Sequence, residues 1–135
     1  MPSIIRLYFS AKYCPPCRSF TPLLAGAYNA HKRHLLSNVD DDDDDEIEVV
    51  FVSFDSTSRE CNEYKSTMPW PAVPFDNLWR MGIKDSLARG FGIRSIPTLI
   101  VLDGQSGEVV TRNGRSEYSN FFKGEYEVPS GCLVS

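Results

Sequence analysis

The feature that most constrains this chain is Cys14-Pro15-Pro16-Cys17. It follows a short apolar run, Ile4-Ile5-Arg6-Leu7-Tyr8-Phe9, that reads as a buried strand, and it precedes a stretch of helical character from Arg18 to His34. A Cys-x-x-Cys at a strand-to-helix junction puts two thiols at a helix N-terminus, where unpaired backbone N–H groups favour a thiolate. Pro15 and Pro16 suit that place, because the first turn of a helix does not need their missing N–H groups. The same motif could be half of a zinc site, but that reading needs further ligands within reach. His31 lies about 21 Å from Cys17 along a continuous helix at about 1.5 Å per residue. There is no second Cys pair, and Cys61 and Cys132 stand singly. The expectation is a dithiol–disulfide exchange site with no bound cofactor or metal.

A chain of 135 residues is long enough for one domain with a real core and too short for two comfortable ones. Its 41% hydrophobic and 12% aromatic content excludes a mainly disordered chain. The net charge of −4 owes much to one acidic run, Asp40 to Asp45; without it the balance is about +2. With no basic stripe interleaved with aromatics, nucleic acid is not an expected partner. No apolar stretch approaches the roughly 18–20 residues that span a bilayer, so no membrane partner is expected. The N-terminus lacks the basic and long apolar segments of a cleaved leader, and the cysteine usage is not that of a secreted disulfide framework. A reducing, cytoplasmic compartment is expected.

The spacing predicts a first strand over residues 4–11, apolar on both faces and therefore central. The helix after it presents Phe20, Leu23, Leu24, Ala27 and Tyr28 on one face, with a kink expected at Pro22. Residues 38–47 read as a solvated acidic insertion. Glu48 to Phe54 is the clearest strand, followed by a helix over 58–67 that carries Cys61, a small buried hydrophobe, and Tyr64. Met68 to Phe75 holds three prolines and reads as an extended loop. One helix is expected from Asn77 to Arg89, with Leu78, Met81 and Leu87 inward and Trp79 in the core. A strand over 96–102, a turn over 103–107 and a strand over 108–111 complete the pattern. Residues 1–115 form the expected domain, and 116–135 a weakly structured tail containing Cys132. The fold class is α/β: a central mixed sheet of about four strands flanked by helices, its first two strands parallel and its last hairpin antiparallel.

Several stretches together carry a family resemblance. They are Tyr8-Phe9-Ser10-Ala11, Cys14-Pro15-Pro16-Cys17-Arg18, Phe20-Thr21-Pro22, Val50-Phe51-Val52-Ser53, Met68-Pro69-Trp70, Ala72-Val73-Pro74-Phe75 and Ile96-Pro97-Thr98-Leu99. In this order and spacing they closely resemble the tryparedoxin and nucleoredoxin branch of the thioredoxin superfamily, over about residues 4–115 apart from the acidic run. The resemblance implies a thioredoxin-like fold and a thiol–disulfide oxidoreductase. Cys14 would attack a partner's disulfide, and Cys17 would resolve the mixed disulfide. Pro97 resembles the family's cis-proline facing the dithiol. Tyr13, Pro15, Pro16, Trp70, Ile96, Pro97, Arg94 and Arg115 would form the docking rim. Electrons would come from a low-molecular-weight dithiol or a reductase, trypanothione or glutathione among them, and pass to protein disulfides such as those of peroxiredoxins. The alternative is a redox-gated protein-binding module with little turnover.

Departures from the family pattern sharpen these expectations. Tyr13 stands where the family usually has Trp, and Tyr8 where thioredoxin itself has a buried Asp. Arg94 replaces an acid that tryparedoxins use toward a cationic, polyamine-bearing substrate, which turns attraction into repulsion. Arg115 matches a family arginine that can meet carboxylates. The family's first strand and helix have no counterpart here, so one sheet edge is expected to be bare unless a second copy covers it.

Overall fold

A computed structural model describes residues 4–37 and 47–116. The acidic run Asp40–Asp45 and residues 117–135 of the expected tail, Cys132 among them, lie outside the described residues. The elements in order are β1 (Ile4–Ser10), α1 (Pro15–Ser37), β2 (Ile47–Ser53), α2 (Ser58–Lys65), α3 (Phe75–Arg80), α4 (Ile83–Gly90), β3 (Thr98–Asp103) and β4 (Val109–Thr111). They build one four-stranded sheet in the order β2-β1-β3-β4.

β1 runs parallel to β2, with Tyr8 opposite Phe51, and antiparallel to β3, with Tyr8 opposite Leu99. β4 pairs antiparallel to β3. The central place of β1 follows from its side chains, because Tyr8 and Phe9 point to opposite faces and both are fully buried. On the Tyr8 face, α1 contributes Phe20, Leu24 and Tyr28, and α2 contributes Cys61 and Tyr64. On the Phe9 face, Val52 and Ile100 meet Leu78 of α3, with Ile83 and Leu87 of α4 and Phe91 alongside. Each such fully buried aliphatic or aromatic side chain contributes roughly 1.5–3 kcal/mol. Two layers of helix thus enclose the sheet.

Local chemistry sets the element ends. Thr57 caps α2: its Oγ1 accepts the Glu60 N–H at 3.2 Å, and its hydroxyl donates to the Glu60 carboxylate at 3.2 Å. The Asp103 carboxylate accepts the N–H groups of Gln105 and Ser106, which shapes the turn between β3 and β4 and holds that carboxyl below its usual range.

Four expectations change. The helix expected over 77–89 is two helices, broken at Gly82, whose φ of 66° is left-handed and open to glycine at no steric cost. That break turns Met81 and Trp79 outward, at 69% and 48% exposure, instead of into the core. Leu23 is likewise exposed, while its neighbour Leu24 takes the buried position. Finally, the outer edge of β2 is not bare along its whole length. At Phe51 the Pro71–Val73 segment runs beside it, with the Phe51 N–H donating to Pro71 O and the Val73 N–H to Phe51 O. The proline-rich loop is extended as expected, and extension lets it act as a partial fifth strand.

Candidate active site

The site lies where β1 gives way to α1. A turn closed by the Cys14 N–H to the Ala11 carbonyl, at 3.2 Å, lifts the chain from the strand into the helix. Buried Asp55, just beyond β2, pins this turn by accepting the Lys12 N–H at 2.8 Å. Its other oxygen accepts the Ser53 hydroxyl at 2.8 Å, so the carboxylate is held by donors on both sides. α1 begins at Pro15, and both prolines are accommodated in its first turn, as the sequence suggests.

Cys14 sits at the mouth of this helix and Cys17 one turn in. Cys14 keeps 8% of its surface exposed, and Cys17 keeps none. The Cys17 N–H donates to the Cys14 sulfur at 3.3 Å, a hydrogen bond that strengthens as that sulfur gains negative charge. The Cys14 thiol faces the Ile96 carbonyl at 3.7 Å, and the Ile96–Pro97 peptide bond is cis. Burial pushes the Cys17 thiol up to about 11, opposed by contacts from Ser10 and the Ala11 N–H that favour its thiolate. The two sulfurs thus have different surroundings: one is reachable by a partner, and the other is dry and held protonated at neutral pH.

Beside the dithiol runs a groove of about 690 Å³ lined by Pro16, Phe20, Leu23, Pro97, Arg112 and Arg115, among others. A profile described as Thioredoxin-like matches residues 2–109. The chain belongs to the thioredoxin-like family. Mouse nucleoredoxin is 44% identical over 118 residues, which cover 87% of this chain and 24% of that protein. Tryparedoxin of Trypanosoma brucei brucei is 39% identical over 110 residues, 82% of this chain and 67% of that one. The structure of tryparedoxin II complexed with glutathionylspermidine superposes with a TM-score of 0.74 at 32% identity, covering 95% of this chain and 79% of that one. The chain therefore spans about a quarter of the nucleoredoxins it matches and two thirds of a tryparedoxin.

Within this thioredoxin-like frame the residues singled out from sequence separate into groups. Cys14, Cys17, Ile96 and Pro97 converge around the sulfurs, with Tyr13 beside them at 58% exposure. Pro16 and Arg115 line the groove, and Pro15 is exposed at the helix mouth. Arg94 is exposed but is not among the groove's lining residues. Trp70 requires correction. It is 3% exposed and packs edge-on against Tyr8 and Tyr28, at 5.9 and 5.5 Å between ring centroids, so it is core and not rim. The loop that carries it bends back against β2, and this turns the indole under the sheet.

Sequence reasoning missed three contributors. Phe54 packs on the Cys14–Ile96 cluster, and the end of the β2 pattern signalled it only as a strand residue. Exposed Trp79 donates its indole N–H to the Asp55 carbonyl at 3.3 Å and stacks under the Lys84 ammonium, 4.5 Å from the ring centroid. The third is a set of buried hydroxyls, those of Tyr8, Ser10, Thr21 and Tyr64, hydrogen-bonded to one another, with Thr21 donating to the Cys17 carbonyl at 2.9 Å. Among the described residues, no three His, Cys, Asp or Glu side chains gather to hold a metal ion, and no helix is long and apolar enough to cross a membrane.

Proposed function

We propose that this chain is a thiol–disulfide oxidoreductase in which Cys14 attacks and Cys17 resolves. The observation that carries the reading is the pairing of a reachable sulfur at a helix mouth with a fully buried one a turn deeper, opposite Ile96–Pro97. The Cys14 thiolate attacks one sulfur of a partner disulfide, forming a mixed disulfide and releasing the partner's other sulfur as a thiolate. Cys17 then loses its proton and attacks the Cys14 sulfur. The Cys14–partner bond breaks, the partner leaves as a thiol, and Cys14 and Cys17 end as a disulfide. Two electrons have passed to the partner.

Geometry supports this order of attack. Access to Cys17 is closed, and a sulfur held protonated waits until the mixed disulfide places an electrophile beside it. An incoming chain docks at Ile96, half-buried next to the Cys14 thiol. The acceptors are protein disulfides of the peroxiredoxin type, and the donor is a low-molecular-weight thiol that presents carboxylates to Arg112 and Arg115. The likeness to a tryparedoxin complexed with glutathionylspermidine supports a glutathione-like donor. The work is done in the reducing cytosol.

The test is reduction of insulin disulfides with a dithiol supply. The parent protein is expected to outpace a Cys14→Ser variant by orders of magnitude, and Cys17→Ser is expected to accumulate mixed disulfides. Equal rates for parent and Cys14→Ser would overturn the reading.

A further inference from the structure

The turn that lifts Cys14 out of β1 has one backbone tie to the rest of the fold. Among the described residues, the stretch 12–16 has a single N–H that reaches another element, that of Lys12. The Cys14 N–H bonds to Ala11 O inside the turn, and Pro15 and Pro16 carry no N–H at all. The anchor is the Asp55 carboxylate, whose Oδ1 accepts the Lys12 N–H at 2.8 Å. The Lys12 ammonium also pairs with Glu63, but both side chains are more than 40% exposed, where water competes and such a pair contributes little.

Asp55 is itself held rigidly. It is fully buried, and its second oxygen accepts the Ser53 hydroxyl at 2.8 Å. The Ser53 oxygen in turn accepts the Asp55 N–H at 2.9 Å, which locks the carboxylate against its own backbone. The segment is fastened to the end of β1, because Ser53 pairs with Ser10 and the Phe54 N–H donates to Ser10 O at 2.9 Å. On the outer side, the Asp55 carbonyl accepts the Trp79 indole N–H at 3.3 Å. Two adjacent residues thus back the first sulfur from one mount. Phe54 packs on the Cys14–Ile96 cluster, and Asp55 grips the turn before it. A hydrogen bond to a charged acceptor is roughly twice as strong as a neutral one, so the grip is stiff.

We propose that Asp55 is the positioning residue of the resolving step: by holding Lys12 it keeps the Cys14 sulfur in line with Cys17. The inference rests on the exchange reaction proposed above. In that step the Cys17 thiolate attacks the Cys14 sulfur of the mixed disulfide. The Cys14–partner bond breaks, and the partner sulfur leaves with the electron pair and takes up a proton. The three sulfurs must lie nearly in line for this displacement. Cys17 is fully buried in α1 and has no room to adjust, so alignment depends on where the turn holds Cys14. The grip preserves two lengths, 3.3 Å from the Cys17 nitrogen to the Cys14 sulfur and 3.7 Å from that sulfur to the Ile96 oxygen. The first attack makes a smaller demand, because an external disulfide approaches Cys14 along whichever direction the sulfur faces.

Reaction of the reduced protein with Ellman's reagent separates the two steps. Attack by Cys14 releases the first nitrothiobenzoate at a rate that grows with reagent concentration, and resolution by Cys17 releases the second at a rate that does not. Misplacing a reacting atom by about 1 Å can cost roughly a hundredfold, and a loosened turn still visits the aligned position part of the time. Asp55→Ala is therefore expected to slow the second release about tenfold, below its melting transition, and to leave the first unchanged. Asp55→Asn, whose amide oxygen still accepts the Lys12 N–H, should recover most of that rate. Ser53→Ala, which frees the second carboxylate oxygen, should slow the second release about threefold, and Glu63→Gln should leave it unchanged. An unaffected second release, equal slowing of both releases, or no recovery in Asp55→Asn overturns the proposal. If Asp55→Ala does not fold, Ser53→Ala set against Glu63→Gln decides. A second measurement needs no thiol chemistry. In D2O the Lys12 amide is expected to exchange about tenfold faster in Asp55→Ala and about threefold faster in Ser53→Ala than in the parent, with the α1 amides beyond Thr21 unchanged. An unchanged Lys12 rate overturns the proposal whatever the thiols do, so absence of the first release counts against the exchange reaction alone.

Discussion

The Cys14 sulfur lies 3.7 Å from the carbonyl oxygen of Ile96, although the two residues are 82 positions apart in the chain. That contact joins the mouth of α1 to the segment before β3, and through it a partner docked at Ile96 would reach the Cys14 thiol. Four expectations follow from this site and the packing that supports it.

The buried thiol makes stability depend on pH. Cys17 keeps its proton up to about 11 in the folded protein, against an ordinary value of 9.0. A group whose folded pKa is raised contributes its stability in full below the unfolded value and loses it as pH climbs through the folded one. Reduced protein should therefore lose on the order of 2 kcal/mol between about pH 9 and 11. Urea midpoints through that range, compared with Cys17→Ala, measure the part due to this thiol. Parallel pH profiles for the two proteins would refute it.

Trp70 and Trp79 should exchange the roles their sequence contexts suggest. Trp70→Ala removes an indole packed on Tyr8 and Tyr28 and should cost about 3–5 kcal/mol. Trp79→Ala loses an exposed ring, a cation–π contact to Lys84 and one hydrogen bond to Asp55, and should cost about 1 kcal/mol. Chemical denaturation ranks the two directly.

Gly114 admits no side chain. A Cβ there would lie 2.6 Å from the Leu99 carbonyl oxygen and 2.9 Å from Leu99 Cγ. Leu99 is fully buried in β3 and cannot give way. Gly114→Ala should cost about 1–3 kcal/mol, read as a lowered melting temperature. Because Arg115 follows in the chain, a variant that survives should also show weaker saturation by glutathione.

Arg94 should discriminate by charge. It is exposed two residues before Ile96, where a cationic dithiol would feel it as repulsion. Arg94→Glu should raise kcat/KM for a cationic, polyamine-bearing dithiol such as trypanothione several-fold, with little change in stability. The gain should shrink between about 0.01 and 0.5 M salt as screening sets in. A salt-independent change would place the effect elsewhere.

The central β1, the parallel β1–β2 pair, the dithiol at a helix mouth and the Ile-Pro-Thr entry to β3 were all legible in the sequence. Each is written in a local pattern, a few residues of period 2 or 3.6, or a motif whose chemistry needs adjacent residues. Three-dimensional packing decided the rest. It broke the helix expected over 77–89 at Gly82, because a left-handed residue there costs glycine little and lets α3 and α4 each lay an apolar side on the sheet. It sent Trp70 inward and Trp79 outward, since side-chain direction depended on how the proline-rich loop bent back onto β2. It also assembled the groove from residues of α1, the β3 entry and the β4 exit, and the hydroxyl chain from β1, α1 and α2. Hydrogen bonds of 2.6–2.8 Å between residues as far apart as Ser10 and Tyr64 leave no trace in periodicity. The sequence by itself determined that Cys14 and Cys17 stand at a strand-to-helix junction, because the motif, strand and helix are contiguous. Only the tertiary structure decided which sulfur is reachable and what surrounds the other, because burial is a property of elements brought together from across the chain.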